Sequence, residues 1–299
     1  MIYDCIIIGG GIAGLQAAIQ LGRYQHKILV IDSNHGRSNL CRAYHNILGW
    51  GNGVSGDYLR RTGREQAEEL GVEFINQTVI AVENQDNEFV CTVKDGVRFI
   101  GKRLLFATGI MDRLPDFPEL IPCLGISVYV CPDCDGYEVK NKRTIVIGAG
   151  NAGANMALTL KYWTHEIIYV NHEITNIDDQ LQKQLEIENI TYYQEAISKV
   201  LGKESQFKGV VLKSGIVLDG KHAFVALGGN EIRSELAGNI GVELHENKHI
   251  LTNPRTKMTN IENVWAAGDV AAHSEQVTIA MGEGSQAAIW IHKSLLESN

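Results

Sequence analysis

Cysteine is scarce in this chain, positive charge is in deficit, and no apolar run is long. Six cysteines in 299 residues are too dilute for a disulfide-stapled scaffold. Lys and Arg number 27 against 35 Asp and Glu, a formal net charge of −8, with no basic stripe to offset it. Phosphate neutralisation dominates nucleic-acid affinity, so this balance excludes a nucleic-acid partner. No stretch approaches the ~18 uncharged apolar residues that cross a bilayer. The first 14 residues set an acidic residue among apolar ones and run into glycines, unlike the basic start of a signal sequence. The expectation is a cytoplasmic protein with no membrane partner. Prolines number only five, so few linkers are marked, and the best boundaries fall at residues 115–122 and 241–253. At roughly 150 residues per domain, the length suggests two domains.

Glycine, by contrast, is abundant at 31 residues, and it is patterned. An apolar run at residues 5–8 is followed by Gly9, Gly11 and Gly14, an amphipathic stretch, and a second apolar run ending at Asp32. The same design recurs at residues 145–147, with Gly148, Gly150 and Gly153, an amphipathic stretch, and an apolar run at 167–170. Both read as strand-turn-helix-strand units. Residues 72–100 and 191–218 then alternate apolar and polar as strands of a small antiparallel sheet would. Each copy closes on an apolar strand stopping at glycine: 104–106 before Ala107, Thr108 and Gly109, and 223–226 before Gly228 and Gly229. The predicted fold is α/β, with two Rossmann-like dinucleotide-binding domains of three-layer ββα type, the second inserted into the first. The boundaries expected are 1–114 with 246–299 for one domain and 115–245 for the other. Two further helices are legible, one capped by Ser55 and running through Leu70, with Leu59, Ala67 and Leu70 on one face, the other over about 277–296. Gly282 and Gly284 are unfavourable inside that last helix, which predicts close approach to a ligand or to backbone.

Glycine spacing alone is weak evidence, but here the motif follows a strand, opens a helix and precedes an acidic residue 18 positions after Gly14. In such a setting Gly9 allows the tight turn, Gly11 admits a pyrophosphate, Gly14 lets the helix pack on the strand, and Asp32 accepts from ribose hydroxyls. Farther on, Gly268 and Asp269 follow an apolar strand, where Asp269 could serve a ribityl chain or simply a polar turn. The most informative segment is Cys131-Pro132-Asp133-Cys134-Asp135-Gly136. Such a thiol pair closes a disulfide and holds one member as thiolate near neutral pH. Asp135 is a candidate proton donor if burial raises its pKa. Zinc is the competing reading, yet the ten histidines offer no second pair at ligand spacing, so no metal is expected. A pair of inert buried cysteines is the other alternative.

The Gly9–Gly14 fingerprint, Ala107-Thr108-Gly109 and Ala267-Gly268-Asp269 resemble the three FAD signatures of the two-dinucleotide flavoproteins. The dithiol just before the second nucleotide fold, followed by Asp-Gly, resembles the low-molecular-weight thioredoxin reductases. The resemblance covers the whole chain. It implies FAD held by the first domain with the C-terminal segment, Asp269 on the ribityl or phosphate side, and Gln276 near the isoalloxazine. It further implies Cys134 as the flavin-proximal thiol, Cys131 as the substrate-facing one, Asp135 as the acid, residues 44–49 with His45 and Asn46 near the flavin, and a homodimer.

The chain departs from that family at the nicotinamide selector. The usual His-Arg-Arg after the second strand is here Asn171-His172-Glu173. Losing two charged hydrogen bonds to a 2′-phosphate, each worth ~1.5–3 kcal/mol, lowers NADPH affinity about a hundredfold or more. The acidic mark of NADH is absent too, since Asn171 stands in the slot matching Asp32. The second fold is left to NAD(P)H, to a second FAD, or to no ligand at all. A protein electron donor, or oxygen as acceptor, becomes an option. The expected function is an FAD-dependent thiol-disulfide oxidoreductase moving electrons between flavin, the Cys131–Cys134 dithiol and an external disulfide, on a thioredoxin-like protein or a small molecule. Two alternatives stand beside it: a dithiol oxidase using oxygen, whose gliotoxin- and holomycin-type members share Pro132 and resemble His45-Asn46, and a non-catalytic flavin redox sensor.

Overall fold

The computed structural model describes residues 1–85, 88–272 and 274–297. The chain divides into two compact units. One comprises Met1–Asn39, Gly56–Met111 and Glu231–Asn299, the other Leu40–Ser55 and Asp112–Asn230.

In the first unit the strands Cys5–Ile8, Ile28–Asp32, Leu104–Phe106, Glu73–Asn76 and Val264–Ala266 form a five-stranded parallel sheet. A parallel sheet is covered on both faces, so its strands are apolar throughout rather than alternating. Alternation instead decides which layer each side chain meets. Ile7, Val30, Leu105 and Trp265 pack under the helices with Ala17 and Ala287. Their neighbours Ile6, Ile31 and Phe106 face Val82, Phe89 and Cys91 on the other side. Those last residues belong to the antiparallel strands Val79–Gln85, Glu88–Val93 and Arg98–Gly101. The layering is sheet on sheet on helix, the three-layer α/β arrangement predicted.

The second unit repeats this plan. Val128–Tyr129, His222–Ala226, Thr144–Gly148, Ile167–Asn171 and Thr191–Tyr193 make a parallel sheet. Ile145, Ile147 and Val225 meet Val200, Phe207 and Val210 of a three-stranded antiparallel sheet. Val146, Tyr169 and Phe224 face Ala154, Ala157 and Leu160 of the helix Gly150–Leu160. One expectation needs correction in both copies. The first strand of each alternating region, Glu73–Asn76 and Thr191–Tyr193, joins the parallel sheet and not the antiparallel one. At a sheet edge a strand is only partly covered, so polar residues such as Glu73, Asn76 and Thr191 flank its apolar ones and it reads like a strand of a solvated sheet.

The helix Gly56–Glu69 ends before Gly71, whose φ is +83°, and Leu70 is 36% exposed instead of lying on the buried face. The C-terminal helix Val277–Glu297 packs on Ile12–Arg23. A β-carbon at Gly284 would stand 2.2 Å from the Ala13 carbonyl oxygen, whereas one at Gly282 would meet nothing within 4 Å. Close backbone approach therefore explains Gly284 only. No helix among the described residues is long and apolar enough to cross a membrane.

Candidate active site

The first glycine turn has the shape a pyrophosphate needs. Gly9 sits at φ +106°, a conformation that L side chains rarely adopt. A β-carbon at Gly14 would lie 1.9 Å from the Gly9 carbonyl oxygen, so the helix comes down directly on the strand end. Gly11, the residue before the helix Ile12–Arg23, opens onto space with nothing within 4 Å of an added β-carbon. Backbone N–H groups and the positive end of the helix face that opening, which suits an anion. Beside it lies a cavity of about 330 Å³ bordered by Gly10, Asp32, Asn34, Arg60 and Arg64. The Asp32 carboxylate accepts from Arg60 at 2.8 Å. These residues fit the diphosphate and ribose of FAD.

The other expected contacts of this unit are strung along the same sheet end. Thr108 donates to the Arg233 carbonyl at 2.6 Å, and Gly109 has φ +66°. Gly268, at φ +79°, donates its N–H to Glu283 at 3.0 Å. Asp269 is bound by Arg37 at 3.1 Å, and the same guanidinium reaches Glu275 at 2.7 Å. The half-buried Gln276 precedes the last helix and accepts from Ala280 N–H. Asn46 is exposed and, with His45, belongs to the other unit.

In the second unit the strand Val128–Tyr129 runs out into the dithiol. Cys131 is extended, and its carbonyl accepts the Asp135 N–H at 3.0 Å, closing one helical turn over Pro132–Asp135. Pro132 opens that turn, where a fixed φ helps and a missing N–H costs nothing. The turn brings the two sulfurs to 2.6 Å, about half an ångström beyond a covalent S–S bond. Hydrogen bonds from the Cys134 thiol and backbone hold the Cys131 thiol below its usual pKa, against burial and the charges of Asp133 and Asp135. Burial, with help from Glu138, pushes the Asp135 carboxyl up to about 7. A β-carbon at Gly136 would stand 2.7 Å from the Trp163 ring, so glycine lets the indole close over the turn.

The second glycine turn differs from the first. Asn171 is fully buried, and its Oδ1 accepts the Gly150 N–H at 3.1 Å. Gly148 and Gly153 are packed by the Tyr169 ring, whose hydroxyl donates to the Gly150 carbonyl at 2.8 Å.

Several residues that shape these sites carry no motif. Arg37, Arg60 and the pair formed by half-buried Lys257 with buried Glu283, 2.7 Å apart, are long-range partners of motif residues. The spacing of Arg60 and Arg64, one helical turn apart, could have marked Arg60, whereas Arg37, Lys257 and Glu283 carry no such local signal. Among the described residues no three His, Cys, Asp or Glu side chains gather as a metal site.

Comparison with known proteins agrees with this geometry. Residues 3–284 match the pyridine nucleotide-disulphide oxidoreductase family model. The thioredoxin reductase of Aquifex aeolicus (strain VF5) is 30% identical, covering 98% of this chain and 94% of its own. That of Mycolicibacterium smegmatis is 27% identical, covering 100% and 98%. The crystal structure of an oxidoreductase from Agrobacterium tumefaciens superposes with a TM-score of 0.81 at 28% identity, over 100% of both chains. The chain belongs to the pyridine nucleotide-disulphide oxidoreductase family, as a thioredoxin reductase-like flavoenzyme.

Proposed function

We propose that the protein is an FAD-dependent thiol-disulfide oxidoreductase in which Cys131 and Cys134 exchange two electrons with an external disulfide. The observation that carries this reading is the pair of sulfurs 2.6 Å apart beside a carboxyl raised to about 7. Gly9, Gly11, Gly14 and Asp32, with Thr108, Gly109, Gly268, Asp269, Gln276 and Asn46, are the residues proposed to hold FAD, in a domain of residues 1–114 and 246–299. Residues 115–245 form the proposed dithiol domain. When bound, FAD supplies a two-electron carrier that returns the dithiol to its reduced state.

The protein's own residues account for the exchange. Cys131, the thiol favoured as thiolate, attacks one sulfur of the external disulfide, and a mixed disulfide forms as the external S–S bond breaks. Asp135, whose acid form persists up to about pH 7, gives its proton to the leaving thiolate. Cys134 then attacks Cys131 within the turn, which closes the internal disulfide and releases the second external thiol. One dithiol and one disulfide are thereby exchanged for one disulfide and two thiols. The substrate is a thioredoxin-like protein or a small disulfide, and the proposed assembly is a cytoplasmic homodimer.

Cysteine variants test the assignment with the flavin-loaded enzyme. Cys134→Ser should retain attack but lose closure, so a mixed disulfide at Cys131 accumulates and is read by intact mass. Cys131→Ser should form no such adduct and turn over at least about 10³-fold more slowly. Wild-type turnover by Cys131→Ser would refute the dithiol role. Steady consumption of oxygen with a small dithiol and no added disulfide would assign the oxidative direction instead.

A further inference from the structure

The two glycine turns of this chain are internal copies, so each serves as the control for the other. Gly11 and Gly150 hold the same place in the motif. At Gly11 an added β-carbon meets nothing within 4 Å, while at Gly150 it would stand 2.8 Å from both the Asn176 carbonyl oxygen and Thr175 Oγ1. The segment that follows the strand Ile167–Asn171 has folded back over the turn.

This strap is fastened at both ends. At its start Asn171 takes the Gly150 N–H through Oδ1, while its Nδ2 donates to the Thr175 carbonyl at 2.6 Å and to Tyr192 Oη at 3.0 Å. At its end Asp178 and Asn151 exchange two hydrogen bonds, Asn151 Nδ2 to Asp178 Oδ2 at 2.7 Å and Asp178 N to Asn151 Oδ1 at 2.9 Å. Asn151 lies in the first turn of the helix Gly150–Leu160, where a pyrophosphate would approach. A third tie joins Glu173 to Arg113, whose guanidinium also reaches the Leu227 carbonyl at 3.4 Å, on the loop after the strand His222–Ala226. The loops beyond three neighbouring parallel strands are thus bound to one another across the crevice where dinucleotides seat in such sheets. Within the strap Ile174 is held at φ +56°, a strained state for a β-branched residue that persists only where its surroundings over-determine it.

We infer that the second nucleotide fold is closed by its own chain: the Asn171–Asp178 strap takes the Gly150 N–H and fills the space of a pyrophosphate, so that fold binds neither NAD(P)H nor a second FAD. The Asn171 side-chain oxygen takes there the kind of N–H that a phosphate oxygen would take in an open cradle. The inference deepens the proposed function, on which it rests for the need of a donor, by removing pyridine nucleotide at this fold as the source of electrons. It leaves the residues at the first turn and at the dithiol untouched.

The test uses the flavin-loaded enzyme under anaerobic conditions. NADPH and NADH are titrated separately by calorimetry, amide exchange is followed at residues 148–153, the flavin-to-chain ratio is measured, and dithiothreitol is added in a parallel sample while flavin absorbance is read. The expected results are one flavin per chain, slow exchange at 148–153 unchanged by either nucleotide, and no saturable binding tighter than about 1 mM, the weak end of ordinary substrate affinities. Nucleotide binding that leaves 148–153 unchanged sits elsewhere and also supports the closed fold. Binding tighter than that limit with altered exchange at 148–153, or two flavins per chain, overturns it. Dithiothreitol should bleach the flavin in the wild type and not in Cys134→Ser. Failure of that arm counts against the dithiol assignment and leaves the closed fold standing, so the two can fail separately.

Discussion

Asp135 shows how one side chain acquires a role from its surroundings. An ordinary aspartate has lost its proton long before neutrality and could not protonate a leaving thiolate. Burial raises this one to about 7, so its acid form is present below that pH and lost above it. Turnover of a disulfide substrate should fall as pH rises through about 7, and Asp135→Asn should lower it about 10²-fold while abolishing that limb of the profile. The linkage to stability has a definite sign. The folded pKa lies above the unfolded value, so ionisation of the native carboxyl lowers stability as pH rises toward 7. Asp135→Asn should therefore melt higher than wild type at pH 8 and match it below pH 4. A variant that melted alike at both would contradict the burial of this group.

Between elements, the close contacts are those that a sequence pattern does not reveal. The helices Ile12–Arg23 and Val277–Glu297 meet where Gly284 leaves room for the Ala13 carbonyl, 2.2 Å from any added β-carbon. Gly284→Val should cost about 3 kcal/mol or more, because neither backbone can yield without disturbing its helix. Gly282→Ala, at the open position, should be neutral or slightly stabilising. Chemical denaturation of the two variants separates the explanations, since a Gly284→Val variant as stable as Gly282→Ala would mean that no close backbone contact is at stake. The strap offers a test in the opposite direction. Ile174 is 53% exposed at φ +56°, so little apolar burial is lost on replacement. Ile174→Asn, which tolerates that conformation, should stabilise the protein by about 1 kcal/mol.

At the scale of the whole molecule, one design is used twice with different outcomes. Each unit has its own pair of cores on the two faces of a parallel sheet, so ligand linkage should act where the ligand binds. Free FAD at 100 times its Kd should stabilise the first unit by about 2.7 kcal/mol. Amide exchange should then slow in 1–39, 56–111 and 231–299 on reloading the flavin-stripped protein. Slowing centred on residues 148–153 would assign the flavin to the wrong copy.

Much of this was legible in the residues. The duplication, the layered α/β class and the Gly9, Gly11, Gly14 turn with Asp32 follow from spacings within about 30 residues, where strand and helix periods dictate which side chains share a face. The Cys131–Cys134 pair follows from a two-residue gap that one helical turn spans. What lay beyond reach depends on partners distant in the chain. Glu73–Asn76 and Thr191–Tyr193 read like solvated-sheet strands and proved to be edges of the parallel sheets. Arg37 is bound to Asp269, 232 positions away, and no local signal announces it. Residue type likewise could mark Asp135 as an acid but not raise its pKa, because desolvation is a property of the packed surroundings. The glycines of the second turn are as regular in sequence as those of the first. Only the tertiary structure decided that Gly11 opens on space and Gly150 on the chain's own strap, since occupancy of a cradle is set by where the following loop comes to rest.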